Sequence, residues 1–121
     1  MASFMLLLHD NTEMPEDISA EDVQAVIGEY IAWRNEIAEE GKLVGGEKLA
    51  DDGGKHLSMV DGGIRVTDGP YAEVKEAIGG YFAIKAADYN EAVEIAKTCP
   101  HVKYGTKIEV RQIDEMHEEG M

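Results

Sequence analysis

The stretch SFMLLLH, residues 3–9, decides how the rest of the chain is read. A β-strand sends alternate side chains to opposite faces of its sheet. Phe4, Leu6 and Leu8 fall on one face and Met5 and Leu7 on the other, so a strand covered on both sides is expected here. Its five apolar residues are far short of the roughly 20 that cross a bilayer. No basic segment precedes them and no small-residue cleavage site follows, so the run reads as a central strand and not as a signal peptide.

Outward from that strand, Ser19-Ala20-Glu21-Asp22 has the form of a capping box, with Asp in the place of the usual Glu or Gln. Val23, Val26, Ile27, Tyr30, Trp33 and Ile37 then recur at helical spacing, and Gly41 supplies the stop. Leu43–Ala50 is expected as a second strand, with Gly45-Gly46 marking a bulge or a close backbone approach. Asp51-Asp52-Gly53-Gly54 is a turn, and His56–Val60 and Gly63–Thr67 form a hairpin about Asp61-Gly62. Tyr81–Ala86 is the next strand. Asp88-Tyr89-Asn90-Glu91 opens a second helix, with Ala92, Val93, Ala96 and Cys99 inward and Pro100 as its end. Lys107–Ile113 alternates cleanly as the last strand.

That order is the α+β, ferredoxin-like βαββαβ arrangement: an antiparallel sheet with an extra β-hairpin and both helices on one face. One domain over residues 1–113 is expected, followed by a mobile acidic tail, 114–121. In the last strand Ile108 and Val110 should meet the helices, which puts Lys107, Glu109 and Arg111 on the other face. A central strand apolar on both sides, in a chain with helices for one side, implies a homodimer with sheets face to face. Glu109 and Arg111 would then lie inside it.

The chain carries 11 Lys and Arg against 25 Asp and Glu, a net charge of -14. Such a surface repels phosphate backbones and anionic lipid, so neither nucleic acid nor a membrane is expected as a partner. The single cysteine, Cys99, has no disulfide partner within the chain; it reads as a buried thiol in a cytoplasmic protein. His9, His56, His101 and His117 show no metal-ligand spacing. The sequence also has no GxGxxG, P-loop or GxSxG motif. No metal and no cofactor is expected.

The segment VTDGPYAEVKEAIGGYFAI, residues 66–84, is too long and too polar for a plain hairpin loop. Asp68-Gly69-Pro70 has a mechanical reading as a turn, and Glu73, Lys75 and Glu76 one as a solvated helical turn. The functional reading makes the segment one wall of a cleft. Asp68 and Glu73 are its acceptors, Lys75 its cation, and Gly79 and Gly80 let the backbone approach a ligand. Glu109 and Arg111 complete the polar lining, unless they form only a structural ion pair, and His101 is a weaker candidate general base.

Asp68-Gly69-Pro70-Tyr71-Ala72-Glu73-Val74-Lys75-Glu76 with Gly79-Gly80-Tyr81 resembles the signature of DGPF-domain proteins in the YCII-related family, Tyr71 replacing the Phe of that motif. Gly41–Glu47, Cys99-Pro100 and Ile108–Arg111 extend the resemblance over nearly the whole chain. It implies a ferredoxin-like fold assembled as a dimeric α/β barrel. The His proposed as an active-site residue in YCII-related proteins lies near the first helix. This chain has no His between Asp10 and Lys55, so that role is not carried over. Two functions follow. The first is binding of a small, anionic molecule in a polar cleft, with metal-free acid/base activity. The alternative is a regulatory or protein-interaction module without catalysis, linked to sigma-factor systems as relatives are.

Overall fold

A computed structural model describes residues 1–11, 19–50, 52–69 and 76–114, with Asn11 and Glu76 as backbone only. The elements run β1 (Ala2–Asn11), α1 (Ala20–Glu39), β2 (Leu43–Lys48), β3 (Lys55–Val60), β4 (Gly63–Asp68), β5 (Glu76–Ala86), α2 (Tyr89–Lys97), α3 (His101–Tyr104) and β6 (Lys107–Gln112). Four strands form one antiparallel sheet in the order β2-β5-β1-β6, and β3 pairs with β4 separately. This is the expected ferredoxin-like α+β arrangement with an added hairpin.

Both helix starts obey the capping logic. The Ser19 hydroxyl accepts the Asp22 N–H at 3.1 Å, and the Asp88 carboxylate accepts the Glu91 N–H at 2.9 Å. The Glu91 carboxylate reaches back to the Ala87 N–H at 3.0 Å. At its other end α1 closes on Gly41, at φ +76°, with Lys42 N–H bonded to Ile37 O and Gly41 N–H to Ala38 O. Those two bonds satisfy carbonyls that the last helical turn leaves open.

The core lies between the sheet and the helices. Phe4, Leu6 and Leu8 enter it from β1, Phe82 and Ile84 from β5, Trp33 and Ile37 from α1, and Ala92, Ile95, Ala96 and Cys99 from the α2 side. Trp33 packs edge-on to Phe82 with centroids 4.9 Å apart, and its indole N–H donates to the Thr98 hydroxyl at 2.8 Å. Met5 and Leu7, facing the helix-free side, are half-buried, whereas Phe4, Leu6 and Leu8 are buried.

Several expectations are corrected, among them β2, which ends at Lys48 and not at Ala50. β5 begins at Glu76 and not at Tyr81, because Gly79 and Gly80 are part of the strand. Only the C-terminal half of the α1 stripe is buried: Val23 and Ile27 are exposed, while Trp33 and Ile37 are core. On α2, Ile95 takes the inward place expected of Val93. A short helix, α3, follows Pro100, and β6 stops one residue earlier than expected. Most of the acidic tail, residues 115–121, lies outside the described residues.

The hairpin stands apart from this core. Asp61 and Gly62 both have positive φ, 50° and 80°, the turn geometry that lets two strands twist together. Leu57 pairs with Val66 and Met59 with Ile64, so these four share one face. They are 58–70% exposed.

Candidate functional site

His9, Asp10, His101 and Glu109 come together at the C-terminal end of β1. That strand carries a register shift between Leu8 and His9: Leu8 pairs with Gly80 and His9 with Ile78, leaving Gly79 as a bulge. A Cβ at Gly79 would sit 1.9 Å from Asp10 Oδ2, so the Asp10 carboxylate occupies the space that this glycine leaves. A Cβ at Gly80 would sit 2.9 Å from the Glu47 backbone oxygen. What approaches this glycine pair closely is the chain's own Asp10 and β2.

On the helix side of β1, His101 is 4% exposed, the one buried polar or charged residue among the described residues. Its Nε2 lies 2.8 Å from His9 O and 3.4 Å from Asp10 Oδ1. Both partners only accept, so Nε2 carries the proton. In the neutral ring Nδ1 then accepts the Tyr30 hydroxyl, at 2.7 Å. Burial above all, then the nearby Cys99, Asp10, Tyr104 and Glu29, keeps the Tyr30 phenol protonated well above its ordinary range. Gly105 leaves space for the imidazole, since a Cβ there would meet His101 Nε2 at 2.1 Å. α3 is held against α1 by Glu29, the residue before Tyr30. Lys103 Nζ lies 2.8 Å from its Oε1, and the Tyr104 hydroxyl donates to its Oε2. The bonds to Lys103 and then Tyr104 hold the Glu29 carboxyl below its usual range.

On the helix-free side, Leu7 faces Glu109, Met5 faces Arg111 and Tyr81 faces Leu7 across the ladders. His9 donates from Nε2 to Glu109 Oε1 at 3.1 Å, and Arg111 Nη1 donates to Glu109 Oε2 at 3.0 Å. The Arg111 bond first, then the His9 bond, lowers the Glu109 carboxyl below its ordinary value. Among the described residues Glu109 is the one ionic partner of Arg111, whose side chain is 67% exposed.

The two clusters meet in one residue. The His9 carbonyl takes bonds from His101 Nε2, from the Thr106 N–H at 3.0 Å and from the Thr106 hydroxyl at 3.1 Å, while the His9 side chain points to Glu109 on the other face.

Of the residues singled out in the sequence, Glu109 and Arg111 are joined directly, with His9 as a third member. His101 is brought to the same strand end, but both its nitrogens are spent on internal partners. Asp68 lies on the hairpin in an ion pair with Lys55, and Gly69 donates its N–H to Gly54 O at 3.1 Å. Glu73 and Lys75 lie outside the described residues, as do Pro70 and Tyr71; β5 begins directly after them, with Glu76 paired to Asn11. Sequence reasoning placed His9 at a strand end near a rim without assigning it to the site, read Tyr30 as core, and passed over Asp10. The signal for His9 was available: it continues the Met5, Leu7 alternation onto the face that carries Glu109. Tyr30 gave none, because its helical spacing reads simply as core.

Among the described residues no group of three His, Cys, Asp or Glu side chains is placed to hold a metal ion. No helix among them is long and apolar enough to cross a membrane. A depression of about 410 Å³ lined by Ala2, Gln112, Ile113 and Asp114 holds none of the groups above.

Residues 2–117 match the family model of the YCII-related domain, and the chain belongs to that family. A comparison with curated proteins gives no match.

Proposed function

We propose that this protein binds a small anionic molecule on the helix-free face of its sheet, within a homodimer whose sheets pack face to face. Arg111 receives the anion, and His9, oriented by Glu109, exchanges a proton with it. The observation that supports this reading is the continuous His9–Glu109–Arg111 chain of hydrogen bonds on a strand face that also carries Met5, Leu7, Tyr81 and Lys107, the last paired opposite His9. A carboxylate bonded to one imidazole nitrogen fixes the tautomer and orientation of the ring, which is how a histidine is positioned for acid/base work without a metal. A second copy over this face would exclude water and strengthen each of these interactions. His101, with Tyr30 and Asp10, acts as a positioning residue through the His9 carbonyl.

The test is a thermal-melt screen of small carboxylates, phosphates and enolisable acids against the wild type, Arg111→Ala and His9→Gln. A ligand at about 100 times its Kd adds about 2.7 kcal/mol, a rise of roughly 10 °C for a chain of this size. The expected result is a hit lost in Arg111→Ala, with binding kept and turnover lost in His9→Gln. A hit that survives Arg111→Ala unchanged would overturn the reading.

The alternative, a regulatory or interaction module of the kind linked to sigma-factor systems, draws its support from the exposed apolar hairpin. A silent screen would favour it.

A further inference from the structure

We infer that the ligand is a short dianion held at both ends, by Arg111 at one and Lys107 at the other, with the carbons between its charged groups over His9. This rests on the reading above, names the class of molecule the site takes, and adds Lys107 as a second anchor.

Strand register places Lys107 there. It is paired directly opposite His9, as Glu109 is opposite Leu7 and Arg111 opposite Met5. Directly opposed residues share a face of the sheet with Cβ atoms about 5 Å apart, so the lysine stem starts beside the imidazole. Along β6, Lys107 and Arg111 are exposed and Glu109 between them is half-buried.

Glu109 is engaged on both oxygens, by His9 at 3.1 Å and by Arg111 at 3.0 Å. It therefore braces the two groups that meet the ligand. Strand rise puts the Cα atoms of Lys107 and Arg111 about 14 Å apart. The bond to Glu109 draws the guanidinium back towards His9, and a lysine stem reaches about 6 Å from its Cα, so the two cationic heads can close to roughly 6–8 Å. A dianion with two to four carbons between its charged groups spans that gap. A monoanion fills one end only.

Charge favours two negative groups over one. The chain as a whole carries -14, yet the described side chains on this face are Lys85, Lys107 and Arg111 against Glu47 and Glu109. A local excess of cations draws anions to one face against the field of the rest. A second copy over the face takes that excess out of water, where it has to be neutralised. Arg111 suits a planar carboxylate or a phosphate oxygen pair, and the ammonium of Lys107 takes either as a point charge. Lys85 is the other cation of the face, but it is paired opposite Ser3. A ligand between Arg111 and Lys85 would lie over Ser3 and Met5, away from the imidazole.

The experiment is titration calorimetry with succinate, glutarate and adipate, the monomethyl ester of each, and phosphoglycolate as a dianion with one phosphate end. Wild type, Arg111→Ala, Lys107→Met, Lys107→Arg and Lys85→Met are compared, each checked for native circular dichroism and melting point. At least one diacid is expected to bind wild type tenfold or more tighter than its own ester. Lys107→Met should abolish that difference and leave the ester unchanged, Lys107→Arg and Lys85→Met should keep it, and Arg111→Ala should lose both ligands. The same pattern with phosphoglycolate in place of the diacids supports the inference and makes one end a phosphate. Diacids and esters that bind wild type equally overturn the dianion, as does a preference removed by Lys85→Met or a Lys107→Met variant weakened alike for acid and ester. In those cases the Arg111 reading stands so long as Arg111→Ala still loses binding. Binding that Arg111→Ala leaves intact, or none across the whole panel, overturns both.

Discussion

Replacing Tyr30 by Phe removes one atom, and the structure sets what that atom is worth. The phenol oxygen lies 2.7 Å from Nδ1 of His101, a ring only 4% exposed. Its loss leaves a buried acceptor without a partner, which costs about 1–3 kcal/mol. The aromatic ring stays, so no cavity term is added. For 121 residues the unfolding entropy is such that 1 kcal/mol moves the midpoint by about 4 °C, so Tyr30→Phe is expected to melt roughly 4–12 °C below wild type at pH 7. Differential scanning calorimetry reads this directly. A double-mutant cycle with His101→Leu isolates the contact, because Tyr30→Phe should cost little once the imidazole is gone. The same variant tests the protonation argument. A phenol held above its ordinary range contributes stability that is full below about pH 10 and is lost as pH rises through its folded value, so Tyr30→Phe should melt less steeply with pH in that window. A melting point within 1 °C of wild type at pH 7, with the alkaline slope unchanged, would refute the account of His101 as a buried ring that depends on Tyr30.

The two glycines of the β5 bulge should separate by mechanism. Gly79→Ala meets the far end of the Asp10 side chain, which can swing away, whereas Gly80→Ala meets the Glu47 backbone; thermal melts should show Gly80→Ala costing more, and Asp10→Ala rescuing only Gly79→Ala. On the acid side, Glu29 and Glu109 both titrate below their ordinary range, so their contribution is present above about pH 4.3 and is lost as pH falls through the lower folded values. Glu29→Gln and Glu109→Gln should each flatten the acid limb of a melting-point-against-pH curve, and a limb unchanged in both would contradict the assigned bonds.

The parts of the fold that could be read from the sequence are those where one local rule applies at a time. Ser19 and Asp88 cap, Gly41 stops, Asp61-Gly62 turns, and the alternation of residues 107–112 fixes which side Glu109 and Arg111 take. The errors arise where tertiary contacts override local character. Gly79 and Gly80 look like loop residues, but within a strand Gly79 makes room for the Asp10 side chain and Gly80 for the backbone of β2. Val23 and Ile27 continue a helical stripe past the point where the sheet can cover it. The site was half legible for the same reason. Glu109 and Arg111 follow from strand parity, whereas Tyr30 and His101 are 71 residues apart, and only the packing of α3 on α1 brings them together.

Cys99 lies at full burial between α2 and the sheet, its thiol raised by desolvation and the only sulfhydryl in the chain. A thiol that is both hidden and reluctant to ionise reacts with a probe only after its surroundings open. The protein therefore carries a built-in clock for its own breathing. Followed over time under native conditions, the labelling rate of this one sulfur reports how often the α2 layer lifts from the sheet, with no engineered reporter and no denaturant.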